Sequence, residues 1–257
     1  TGSSNAFEVT HGALAGFGVT DGTGGAIGTQ TAGSGFTIRV EAQDGFGNTV
    51  LSYSGAGVTV DITDSTGTIL PAVSGDFTDG VRSETVTITV AQAGVSITVA
   101  DSATGTVTGN SNGFDVVPGE LAGFVYTTDP GAGSYAAGSG IAVVIEARDG
   151  FGNLKTGFNG DATISDTTGT ISEGGPGAGD VTITFAGGIY DSQVYVTEAG
   201  VGIVMTVTRA EVSADSGGFT VTDAGLSAFT VEASGGGAIG DQVAGVGFDV
   251  DLRAVDG

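Results

Sequence analysis

Asp44 and Asn48 stand four residues apart in the sequence Asp-Gly-Phe-Gly-Asn, and the same five residues return as Asp149 to Asn153. Carboxylate and amide oxygens are hard donors, and the cation that suits them is Ca²⁺. Glu120, beside a junction, adds another carboxylate. One expectation is therefore calcium held by Asp44, Asn48, Asp149, Asn153 and Glu120, stiffening the chain across its loops. Calcium wants about six to eight oxygens, whereas each copy brings two side chains. The simpler expectation is a tight turn. Asp and Asn bond their own backbone, glycine supplies positive φ, and the phenylalanine plugs the end of a core. Neither copy follows the spacing of an EF-hand loop or of a calcium-binding nonapeptide.

Other chemistry is sparse. His11 is the single histidine and there is no cysteine. No Ser-His-Asp set, Cys-His pair or metal triad can be assembled, so no catalytic or cofactor-binding residue is assigned and no enzymatic activity is expected. Lys155 is the single lysine, and the first copy has Val50 in its place, so a lysine cross-link is no property of the repeat. Gly22 to Gly28 and Gly235 to Gly240 resemble phosphate loops in glycine content alone. Their shared Gly-Ala-Ile-Gly reads instead as a loop that tucks its isoleucine inward. Acidic residues number 29 against 6 basic, a net charge of −23. Such a chain repels nucleic acid and anionic membrane surfaces, and the charge keeps a long polymer soluble. No apolar run is long enough to span a bilayer, so no membrane insertion is expected in this segment.

The elements that carry these residues repeat. Asp44 and Asp149 differ by 149 − 44 = 105 positions, and Asp256-Gly257 opens a third copy. Ser4-Asn5-Ala6-Phe7-Glu8-Val9 matches Ser111-Asn112-Gly113-Phe114-Asp115-Val116, and Gly218-Phe219-Thr220-Val221 follows. A period this long is a domain rather than a solenoid turn. Taking the Phe-x-Val segments as last strands divides the chain into four parts. Residues 1–10 close a preceding repeat, 11–117 and 118–222 are complete repeats, and 223–257 open a truncated one. The junctions are short, which favours a semi-rigid rod over beads on a string.

Within a repeat the pattern is that of strands. Phe36, Ile38, Val40 and Ala42 alternate with Thr37, Arg39, Glu41 and Gln43, a period of two that places the first set inside. Ile141, Val143, Ile145 and Ala147 repeat it, as do Phe248, Val250, Leu252 and Ala254. Roughly seven short strands in roughly 100 residues is the signature of an immunoglobulin-like sandwich. The predicted fold class is all-β, in tandem immunoglobulin-like β-sandwiches, without the cysteine pair and tryptophan of antibody domains.

A strand ending in Ala-x-Asp-Gly-Phe-Gly-Asn, then Tyr53-Ser54-Gly55 or Phe158-Asn159-Gly160, then a Phe-x-Val last strand resembles bacterial Ig-like tandem repeats. The architecture is broadly filamin- or invasin-like. The resemblance implies a long extracellular or cell-surface protein whose repeats serve as stalk, fibre or sheath. Ligand-binding adhesin repeats, or a non-catalytic module of a large secreted polysaccharide-active enzyme, are the alternatives. The absence of tryptophan argues against a sugar platform.

The implied partners are neighbouring repeats or other copies of the same protein. Aligning the copies on the turn, and on Ala93-Gly94 with Ala199-Gly200, sets Arg39 against Val144 and Thr89 against Tyr195. Four of the five tyrosines fall in the second repeat. Val144 and Tyr195, with Tyr190, are expected to form a lateral contact patch.

Overall fold

The computed structural model describes residues 2–175, 177 and 179–256. Gly257, the glycine of the third turn copy, lies outside them. Every element among the described residues is a β-strand. Packing divides the chain into two compact units. The first runs to Ala122 and also takes in Arg148–Lys155; the second holds Gly123–Ala147 and the chain from Thr156 onward.

The first repeat is built of β1 (Leu14–Asp21), β2 (Gln30–Thr31), β3 (Phe36–Asp44), β4 (Val60–Asp64), β5 (Val81–Val86), β6 (Gln92–Val95), β7 (Ile97–Asp101), β8 (Thr108–Asn110) and β9 (Phe114–Val117). One sheet has the order β1-β3-β5. Facing it, β2-β9-β6 continues into β8-β7-β4, because β6 with β7 and β8 with β9 are each one strand interrupted. In immunoglobulin letters this is A-B-E against A′-G-F-C, an immunoglobulin-like sandwich. The alternation in β3 decides which face packs: Ile38, Val40 and Ala42 are fully buried, while Arg39 and Glu41 keep contact with water. Each such large aliphatic side chain contributes about 1.5–3 kcal/mol by leaving water.

The second repeat uses β10 (Leu121–Thr128), β11 (Ser134–Ala136), β12 (Gly140–Asp149), β13 (Asp161–Asp166), β14 (Ser172–Glu173), β15 (Val181–Thr184), β16 (Ile189–Tyr195), β17 (Gly200–Ile203), β18 (Met205–Arg209), β19 (Val212–Asp215) and β20 (Phe219–Thr222). Its sheets are β10-β12-β16-β14 on one side, and β11-β20-β17 with β15-β13-β18-β19 on the other. The plan is the same with D and C′ strands added. Ile141, Val143, Ile145 and Ala147 fill the core.

Two strands remain, β21 (Leu226–Ala233) and β22 (Val250–Asp256), and they pair with each other. They have the pattern of β1 and β3, but among the described residues their apolar side chains stand in water: Phe229 is 65% and Leu252 69% exposed. The expected last strand in residues 1–10 is not formed among the described residues, where Phe7 and Val9 stand in water. A strand needs a ladder partner, and this segment meets none.

Backbone bonds give the true alignment of the two repeats. The Gly33 N–H donates to Ile88 O, and the Gly138 N–H to Val196 O, both at 2.9 Å. The offset there is 196 − 88 = 108. Gly94 therefore corresponds to Gly202; both have positive φ, 67° and 71°, and both lie at register shifts in their strands. The Ala-Gly alignment expected from sequence is out by two residues, and Tyr195 corresponds to Thr87 rather than Thr89.

Candidate functional site: the Asp-Gly-Phe-Gly-Asn turns

Both copies close the same way. The Asp44 N–H donates to Asn48 O at 2.9 Å and the Gly47 N–H to Asp44 O at 3.0 Å. Gly47, with φ 81°, supplies the left-handed residue, as Gly152 does at 83°. Asp44 Oδ1 accepts from the N–H groups of Phe46 and Asn48, both at 2.9 Å. Asp44 Oδ2 accepts from the Gly12 N–H at 2.7 Å and from Asn48 Nδ2 at 3.1 Å. Asp149 is held identically by Phe151, Asn153 and Gly119. Asp256 begins the set again, accepting from the Ala224 N–H at 2.9 Å. At each junction an aspartate staples the first residues of its repeat to the end of its B strand.

Donors on both oxygens favour the ionised form. The Gly12 N–H and the Asn48 amide hold Asp44 well below the ordinary carboxylate range. Burial pushes Asp149 up, but hydrogen bonds from Asn153, Gly119 and Phe151 outweigh it and leave it lowered. The same geometry bears on the calcium expectation. The lone pairs of Asp44 and Asp149 face N–H groups, and Asn48 and Asn153 turn their amide nitrogens, not their oxygens, toward them. Glu120 is exposed. Among the described residues no three His, Cys, Asp or Glu side chains gather to hold a metal ion.

Nor does the phenylalanine plug a core. Phe46 is 92% exposed and Phe151 54%. A turn breaks the strand alternation, so its central side chain points off the tip. What Phe151 covers is Gly33, within the first unit: a Cβ built there would lie 2.0 Å from the Phe151 ring. Beside it, Asn153 clasps the connection between β5 and β6. Its Oδ1 accepts from the Ala91 N–H at 2.9 Å and its Nδ2 donates to Thr89 O at 2.8 Å. Lys155 Nζ donates to Gly119 O at 2.6 Å. The turn Asp149–Asn153 thus belongs by sequence to the second repeat and by packing to the first unit.

A second recurring loop, not singled out from sequence, props that connection. Asp64 accepts from the N–H groups of Thr66, Thr68 and Ile69. Thr68 Oγ1 then accepts from the N–H groups of Thr89 and Val90, at 3.2 and 3.4 Å. In the second repeat Asp166 holds Thr168, Thr170 and Ile171. Thr170 Oγ1 accepts from Thr197 at 3.2 Å and Glu198 at 3.1 Å. Asp64-Ser-Thr-Gly-Thr-Ile69 against Asp166-Thr-Thr-Gly-Thr-Ile171 was the available signal.

The lateral patch divides. Val144 and Tyr195 are on paired strands and half-buried, but Val144 is opposite Asp191 and Tyr195 opposite Gly140. Four residues of strand, about 13 Å, separate them. Tyr190 faces inward, 5% exposed, and its hydroxyl donates to Glu173 at 2.8 Å, so it is a core residue and not part of a contact face. His11 stands half-buried at its junction with Nδ1 2.8 Å from Gly12 O.

No family model and no curated protein matches the chain. Among solved structures it is similar to domains 4 and 5 of the S-layer protein SbsC, at 18% identity over 81% of this chain and 98% of that one, TM-score 0.33. It is similar to the D0-D1 domain of intimin, at 12% identity over 81% and 98%, TM-score 0.29. It is also similar to invasin, a bacterial integrin-binding protein, at 21% identity over 84% and 42%, TM-score 0.32. The immunoglobulin-like assignment rests on the strand order of the two sheets.

Proposed function

We propose that this chain is a structural segment of an extracellular bacterial surface or filament protein, non-catalytic, with repeats that bear load in a stalk, fibre or sheath. The observation that carries the reading is the aspartate staple, found at Asp44, Asp149 and Asp256. A device repeated at every junction serves the array rather than one ligand. Each staple ties the incoming chain to its own sandwich, so tension enters a folded domain instead of a slack linker. The extracellular assignment follows from the sequence resemblance described above.

Force spectroscopy tests it. Stretching the chain between handles should give two separate unfolding events. Each should release about 100 residues, on the order of 350 Å of contour at about 3.5 Å per residue. Extension without discrete events would overturn the reading.

A further inference from the structure

Two asparagines of the chain precede a glycine, in Asn112-Gly113 and Asn159-Gly160. Such a pair can react with itself. With no Cβ on the second residue, its main-chain nitrogen reaches the asparagine Cγ without a clash. The two pairs stand in different surroundings. Asn112 is held at both ends of its amide. Its Oδ1 accepts from the Ile27 N–H at 2.8 Å, and its Nδ2 donates to Ile27 O and Gly113 O, both at 2.9 Å. The nitrogen that would have to leave is bound twice.

Asn159 is exposed, between β12 and β13. Its Nδ2 makes one long bond, 3.4 Å to Gly157 O, whereas its Oδ1 accepts from the Gly187 N–H at 2.8 Å. That donor is fixed in the two-residue turn between β15 and β16. Ala186 and Ile189 close the turn with backbone bonds of 2.9 and 3.1 Å, and φ is 59° at Gly187 and 82° at Gly188. A fixed N–H on the amide oxygen polarises Cγ and stabilises negative charge that develops there. The attacking nitrogen is prepared as well. No described residue accepts from the Gly160 N–H, whereas Gly55, its counterpart in the first repeat, donates to Phe77 O at 3.0 Å. The Arg209 guanidinium lies against Gly160: Nη1 donates to Asp161 O, and a Cβ built on Gly160 would stand 2.8 Å from Nη1. A cation in that place favours the deprotonated amide.

We propose that Asn159-Gly160 is a site of spontaneous backbone cyclisation. The Gly160 nitrogen gives its proton to water and bonds to Asn159 Cγ. The Cγ–Nδ2 bond breaks, and the nitrogen takes a proton from solvent and leaves as ammonia, which yields a succinimide. Water then opens the ring at either carbonyl, leaving aspartate or isoaspartate. The balance is amide and water in, carboxylic acid and ammonia out, with no oxidant or cofactor. Aspartate keeps an acceptor for the Gly187 N–H. Isoaspartate lengthens the main chain by one carbon and loosens the tie between the two loops. In the first repeat Ser54 stands in this place, and its Oγ accepts from the Asp79 N–H at 3.1 Å. A hydroxyl makes the same tie and cannot cyclise, so the reaction is a property of the second repeat.

Incubating the folded chain in warm, mildly alkaline buffer, followed by tryptic mass spectrometry, tests the proposal. Cleavage after Lys155 and Arg209 leaves Asn159 as the single asparagine of its peptide, and cleavage after Arg82 and Arg148 leaves Asn112 with Asn110. The 156–209 peptide should exchange amide for acid at least about tenfold faster than the 83–148 peptide. A transient succinimide and an isoaspartyl product, labelled by isoaspartyl methyltransferase, should accompany the exchange. In urea both Asn-Gly pairs should react at similar rates. Gly160→Ala, whose methyl meets only the movable end of Arg209, should slow the folded reaction at least about tenfold. Arg209→Gln with an unchanged circular dichroism spectrum should slow it severalfold, and Asn159→Ser should abolish it with the fold intact. Equal rates for the two peptides in the folded chain overturn the proposal. So does an Asn159 that stays amidated in the folded chain while the urea-unfolded chain reacts, which would mean that the Gly187 bond protects the side chain instead of activating it.

Discussion

The Tyr53 hydroxyl donates to Asp101 Oδ1 at 2.8 Å, joining the loop after β3 to the end of β7. The second repeat keeps the contact and changes its chemistry. Phe158 stands for Tyr53, and Arg209, at the end of β18, stands for Asp101. The Arg209 guanidinium lies 4.8 Å from the Phe158 ring centre. A hydrogen bond in one sandwich is a cation–π contact in the other.

Tyr53→Phe should therefore destabilise the first repeat by about 1 kcal/mol, because Asp101, only 8% exposed, loses a donor. Adding Asp101→Arg to Tyr53→Phe should recover part of that loss by importing the second repeat's solution. A double-mutant cycle in urea measures the coupling. A purely additive result would mean that the two positions are independent.

Gly33→Ala meets both a backbone at φ 77° and the Phe151 ring. The strained backbone alone costs about 1–3 kcal/mol. Combining it with Phe151→Ala separates the causes. Relief in the double variant identifies the clash, and an unchanged loss identifies the backbone. Thermal melts of the two single variants and the double variant supply the comparison.

Acid should loosen the junctions. Asp44 and Asp149 have carboxyls lowered in the folded chain relative to the ordinary value of about 3.9. A lowered carboxyl stabilises the fold above its unfolded value, and that contribution is lost as pH falls through the folded value. Stability should hold from neutral pH down to about 4 and then decline. Asp149→Asn should lower the plateau and flatten the decline. Urea midpoints measured from neutral pH into strong acid show whether it does.

Calcium should leave the melting temperature where magnesium leaves it. The oxygens of Asp44 and Asp149 are engaged by backbone and amide donors. Scanning calorimetry with each cation and with chelator is the measurement. A calcium-specific rise would mean that the turns open to bind it.

Much of the sandwich was legible because burial imposes a period of two. Ile38, Val40 and Ala42, and Ile141, Val143 and Ile145, sit where alternation places them. The turn was legible because Asp, Gly and Asn have local reasons to be there. What Phe46 and Phe151 do was not, since alternation ends at a turn and the partner glycine of Phe151 is over a hundred positions away. The two-residue misalignment arose where Ala-Gly recurs by chance. The glycine that matters is identified by φ and by a strand irregularity, neither of which composition displays. Tyr190 differs for a simpler reason: an amphipathic tyrosine suits a surface anchor, but its parity with Val194 and Val196 marks an inward position.

The pairing of β2 with β9 is parallel, and so is that of β11 with β20. Each repeat therefore sets a strand near its entry beside its last strand, running the same way. Tension on the two ends drags these strands past one another lengthwise. Their hydrogen bonds are then loaded in shear and must fail together, whereas an antiparallel end pair would peel open one bond at a time. A ladder of two or three residues placed in this way becomes the clamp that sets the force at which the sandwich gives.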